Sequence, residues 1–145
     1  MTSRPFRTLR EMLAGALAVA VLAAGCAPST SSSSNSTSKF KGDARPAAQA
    51  VEDLQAAAKD GDYAKICTQL LAPSFAGRLG ESGRTCEQAV KAAVKDADSL
   101  DMTVQRVSVN GDTATARVKL ETGKKDRIAT FHLQRDGNRW KIQSL

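Results

Sequence analysis

The sequence is poor in aromatic rings and in catalytic side chains. Phe, Trp and Tyr make up 4% of 145 residues, and His132 is the only histidine. So few rings leave little to stack on bases. There is no aromatic RNP-like motif and no cysteine–histidine finger spacing. GxSxG, the phosphate-binding P-loop, HExxH and the dinucleotide-binding glycine fingerprint are also missing. A long apolar run is lacking too. Met12–Ala24 is thirteen residues of mostly Ala, Val and Leu, short of the roughly 20 that a spanning helix needs. Asp96, Asp98 and Asp101 do not make a calcium loop, because Leu100 stands at the third ligand place and neither Gly nor Glu follows in register. No metal and no cofactor is expected.

What stands at the amino terminus is a leader. Arg4, Arg7 and Arg10 form a basic head, the apolar run follows, and small residues close it, as in a secretory signal peptide. Leu22-Ala23-Ala24-Gly25-Cys26 resembles the lipobox of bacterial lipoproteins, with Ala23 where Leu is usual. The resemblance implies cleavage before Cys26 and acylation of its thiol and new amino group, including palmitate. Residues 1–25 are then a signal peptide. Residues 26–41 are a lipidated cysteine and a Ser/Thr-rich linker with too little to bury to offset its ordering entropy. Residues 42–145 are long enough for one domain. Lipid anchoring on the outer face of the cell membrane argues against nucleic acid as the partner of the +6 net charge. Anionic lipid or another envelope component fits better.

With Cys26 carrying lipid, Cys67 and Cys86 remain as an even pair in an oxidising compartment. They are expected to form a disulfide.

The domain divides into a helical half and a strand half. Ala47, Ala50, Val51, Leu54, Ala57 and Ala58 recur at helical spacing behind Asp43 and Pro46, and Gly61 ends the run. Asp62 starts a second helix in which Tyr63, Ile66, Cys67, Leu70 and Leu71 share a face, and Pro73 breaks it. Phe75 and Leu79 suit a short helical turn. Thr85 and Gln88 form a capping box for a third helix carrying Cys86, Ala89, Val90, Ala93, Val94 and Ala97. From Asp101 the period becomes two, with turns at Asn110-Gly111-Asp112, Thr122–Asp126 and Asp136-Gly137-Asn138. This describes a four-stranded antiparallel meander. Met102 and Val104 are even-numbered whereas Val107 and Val109 are odd, which requires a β-bulge near Gln105–Arg106.

Three N-terminal helices on a curved four-stranded antiparallel sheet make an α+β domain. It resembles the cone-shaped, cystatin-like fold of the nuclear transport factor two-like (SnoaL-like) superfamily. The carriers are GDYAKICTQLLAPSFAGRL, the Gly111-Asp112 hairpin and the ending DGNRWKIQSL. It looks most like the small lipoproteins of actinobacteria with this fold. The short strand such folds often hold between the second and third helices is not evident. The resemblance implies a pocket between the helices and the concave sheet face, and dimerisation through the opposite face.

The concave face offers no acid, base or nucleophile, so an enzyme is not expected. Glu52 and Asp53, both reading as exposed, are the nearest carboxylates. His132 falls on the outer face, out of reach of a pocket. A cone pocket would be lined by Val118, Phe131, Leu133 and Trp140. The outer face collects Arg106, Arg117, Lys119 and Lys141, with no carboxylate among the alternating positions. The primary expectation is a non-catalytic binding or assembly module of the cell envelope, docking through that basic face to a partner protein or anionic lipid. The alternative is a carrier of a small apolar ligand in the cone.

Overall fold

The computed structural model describes residues 36–81, 83–97, 100–121, 123 and 125–145. The leader, Cys26 and the linker up to residue 35 lie outside the described residues.

Helix α1 (Ala44–Asp60) is the central prop of the fold. Its apolar stripe of Ala47, Ala48, Ala50, Val51, Leu54, Ala57 and Ala58 is buried. Small side chains dominate, so the helix lies close to the sheet. Asp43, at the position before it, makes no side-chain cap. It instead reaches Arg135 of the third strand at 3.1 Å. Gly61 ends α1 in the left-handed conformation at φ 72°, which costs glycine no Cβ clash.

Asp62 then caps a single turn, α2 (Tyr63–Lys65), accepting from the Lys65 N–H at 3.0 Å. This turn runs into a π turn, Ile66–Leu70, closed by the Leu71 N–H donating to the Ile66 carbonyl at 2.9 Å. The second helix does not carry its apolar residues on one continuous face. The π turn widens the helix: Ile66 and Leu70 are buried, whereas Cys67 is half-buried and turned toward Cys86. Leu71 is extended and bridges in parallel to Ile142. The Ala72 N–H donates to the Ile142 carbonyl at 2.8 Å. This one-residue bridge falls at the end of the segment expected as the second helix.

Pro73 ends one helix and begins another. Helix α3 (Pro73–Gly80) has proline in its first turn, where the absent N–H is not needed. The short helical turn expected around Phe75 and Leu79 is thus a helix of eight residues. Helix α4 (Cys86–Asp96) opens with the expected capping box. Thr85 Oγ1 accepts from the Gln88 N–H, and the Gln88 side chain accepts from the Thr85 N–H.

The sheet is the expected meander of β1 (Asp101–Asn110), β2 (Thr113–Glu121), β3 (Asp126–Asp136) and β4 (Arg139–Ser144), in that order and antiparallel. The register of β1 slips between Val104 and Arg106, leaving Gln105 as the extra residue. The parity change predicts this bulge. A second irregularity between His132 and Leu133, against Ser144 and Ile142, is not announced by any parity change. The face toward α1 holds Val104, Ala114, Ala116, Val118, Phe131, Leu133, Trp140 and Ile142, all buried. Burying the valine, leucine, isoleucine and phenylalanine side chains among them contributes roughly 1.5–3 kcal/mol each.

Residues 36–39, part of the stretch read as linker, form a 3₁₀ turn beside α1. The Thr37 N–H donates to Glu52 Oε1 at 3.0 Å, and Thr37 is buried. The physical reason is that Glu52 and the packed ring of Phe40 give this stretch a place to bind.

Candidate functional site

Two clefts flank the π turn. The first is apolar. It is bounded by Leu54 and Ala58 of α1, Phe75 and Leu79 of α3, Val90 and Val94 of α4, and Met102 at the start of β1, with a volume of about 170 Å³. Ile66 lies on its π-turn side and Leu145 at its rim, 65% exposed. No charged side chain lines it.

The cleft exists because of how α4 is held. Its apolar side has the spacing of a core-facing helix, yet none of its residues is buried. Its close neighbours are α2, the π turn and α3. The Cys67–Cys86 disulfide, with Cα atoms 6.1 Å apart, pins its first residue to the π turn. Helix α4 is therefore fastened at one end and leaves an apolar gap between itself, α1 and the sheet.

The second cleft is larger, about 360 Å³, and mixes polar and charged side chains with apolar surface. Pro46, Gln49, Ala50 and Asp53 of α1 form one wall. Lys65, Gln69 and Leu70 form another, and Asn138, Arg139 and Trp140 of the β3–β4 hairpin form a third. Gln49 Nε2 donates to Asp53 Oδ1 at 3.0 Å. The Arg135 guanidinium lies 4.7 Å from the centre of the Trp140 ring, a cation–π distance.

The expected pocket residues are redistributed. Val118, Phe131 and Leu133 are 0%, 2% and 1% exposed and sealed among core neighbours. They line neither cleft. Only Trp140 reaches one, and it is the polar one. The reason is the small-residue stripe of α1, which brings helix and sheet too close to leave space between them. Glu52 is taken by the Thr37 N–H and Asp53 belongs to the polar cleft; both are half-buried rather than exposed. His132 is exposed on the outer face, opposite Thr115 and Ser144.

The basic outer face also differs from its reading. Lys119 Nζ is 2.8 Å from Asp126 and 2.9 Å from Glu121. These partners hold its ammonium above the usual lysine range, Asp126 most strongly. Lys141 Nζ is 2.9 Å from Asp136. Strand-end carboxylates therefore neutralise two of the four cations. Arg106 and Arg117 form no ion pair among the described residues. They are direct partners across β1 and β2.

Among the described residues, no group of three His, Cys, Asp or Glu side chains could hold a metal ion, and no helix is long and apolar enough to cross a membrane. No protein-family model matches the chain, and no curated protein matches it. Among solved structures it is similar to NT-9, a de novo designed NTF2-fold protein. Identity is 17% and the TM-score 0.50, over 66% of this chain and 80% of that one. With its helices on an open four-stranded antiparallel sheet, the described domain has an NTF2-like α+β fold.

Proposed function

We propose that this is a lipid-anchored, non-catalytic binding domain on the outer face of the cell membrane, and that its apolar cleft takes up one acyl chain. The supporting observation is the lining of that cleft, from which charged side chains are absent. At about 170 Å³ it is smaller than the roughly 300–1,000 Å³ of pockets for drug-sized molecules. That suits the end of an unbranched chain better than a ring system. Anchoring through Cys26, as the leader implies, would keep the domain beside a supply of such chains. The assembly reading, docking through the outer face, rests now on Arg106 and Arg117 alone.

The test is native mass spectrometry of the unreduced full chain, gently extracted from its own membrane. The expected result is an acylated Cys26 and a co-purifying apolar mass. That mass should disappear in Val94→Asp while the variant still melts cooperatively. An unoccupied wild-type chain that also fails to retain added palmitate would overturn the carrier reading. An unmodified Cys26 would overturn the anchor.

A further inference from the structure

The polar cleft is not used by the acyl-chain reading, and its chemistry is of another kind. Three carboxamides line it, from Gln49, Gln69 and Asn138. Each offers an acceptor oxygen and two N–H donors. They come from three separate elements: α1, the π turn and the β3–β4 hairpin. Pro46, Ala50, Leu70 and Trp140 add apolar surface among them. Alternating hydrogen-bonding groups with small apolar patches match a molecule that is itself hydroxyl and C–H by turns.

The charges narrow the class. Lys65 and Arg139 line the cleft, and neither forms an ion pair among the described residues. The carboxylates nearest to them in sequence are engaged elsewhere: Asp62 caps α2 through the Lys65 backbone N–H, and Asp136 pairs with Lys141. Within the cleft the single carboxylate, Asp53, already accepts from Gln49. Two cations against one occupied carboxylate leave the cleft positive. An acidic group entering it would gain charge-assisted hydrogen bonds.

The π turn is an independent sign. A π turn is a rare insertion that tends to occur at functional sites. Here it carries Gln69 and Leu70 into the polar cleft and directs Cys67 away toward α4.

We infer that this cleft is a second binding site, for a monosaccharide-sized sugar acid whose carboxylate or phosphate sits between Lys65 and Arg139 and whose hydroxyls meet Gln49, Gln69, Asn138 and Asp53. Its volume of about 360 Å³ lies at the small end of ligand pockets, consistent with one sugar ring. The site stands or falls separately from the acyl-chain reading, because the two clefts share no lining residue.

The chain has a single tryptophan, and Trp140 lines this cleft, so its fluorescence reports on the site. Full-length protein would be titrated with glucuronate, glucose 6-phosphate, glucose and inorganic phosphate. The expected result is a saturable change with glucuronate or glucose 6-phosphate at roughly millimolar concentration or below. Arg139→Gln and Lys65→Gln should each weaken it about tenfold, while Arg106→Gln, on the outer sheet face, should leave it unchanged. Circular dichroism melting would show that the variants fold. No saturable response to either acid would overturn the proposal. So would an equal response to inorganic phosphate, which would make the cleft a simple anion site, or an equal response to neutral glucose, which would remove the role of the cations.

Discussion

Arg106 and Arg117 face each other directly across β1 and β2. The bulge at Gln105 creates this pairing, since without the extra residue Gln105 would stand opposite Arg117. Like charges directly opposed on a sheet destabilise it, and these two have no ion-pair partner among the described residues. Arg117→Thr should therefore raise stability by up to about 0.5 kcal/mol. The gain should shrink as salt screens the exposed pair. Urea midpoints at low and high ionic strength test it. A loss of stability, or a gain indifferent to salt, would refute the account.

Helix α4 depends on its covalent tie more than on burial. The cysteines are separated by 19 positions, and a loop of that size is associated with about 3 kcal/mol. Replacing both, as Cys67→Ala with Cys86→Ala, should lower stability by that order. Amide exchange should accelerate in α4 well before the sheet. Uniform acceleration throughout the domain would show that α4 is held by packing after all.

The capping box at the start of α4 gives a second handle on the same helix. Thr85→Ala removes the acceptor for the Gln88 N–H and should cost about 1 kcal/mol. Because Thr85 adjoins Cys86, its effect should not add simply to that of disulfide loss. A double-mutant cycle on thermal unfolding measures the coupling. Strict additivity would argue that cap and disulfide act on different structural units.

Lys119 supplies a prediction about pH. The hydrogen bonds that Lys119 donates to Asp126 and Glu121 raise its pKa in the folded state. A raised folded value means the contribution is complete below the unfolded lysine pKa, near 10.4. It is lost as pH climbs through the folded value. The side chains are 31%, 62% and 46% exposed, so water screens the group and the effect is small. The deficit of Lys119→Gln relative to wild type should stay constant around neutrality and shrink in strong alkali. A deficit that grows with rising pH would contradict the ion-pair assignment.

Much of the fold is legible in the residues because local signals and tertiary packing agree there. The shift from even to odd apolar positions between Val104 and Val107 locates the bulge. The Thr85–Gln88 box and Gly61 mark helix ends for local reasons. The π turn was hidden because its extra residue has no composition of its own; it arises where Leu71 must leave the helix to meet Ile142. Pro73 reads as a terminator, and it is also an initiator. The clefts were misplaced for a packing reason. Val118, Phe131 and Leu133 look like pocket walls until the alanines of α1 close over them. Val90 and Val94 look fully core, yet α4 only lays them against its edge and leaves them half-buried. The outer face misled because alternation describes strand interiors, whereas Glu121, Asp126 and Asp136 act from strand ends.

A meander of four strands ordered as in sequence leaves two unpaired edges, and unpaired edges invite other strands. At β4 the carbonyls of Ile142 and Gln143 are already occupied, by the Ala72 N–H and by Arg78 Nη2 at 2.9 Å. At β1 the Gln105 bulge interrupts the ladder midway. Neither edge is a clean template. Strand addition, whether by a second copy or in aggregation, is blocked by one residue pair at one side and by a twist at the other. The domain can thus be crowded without its sheet propagating.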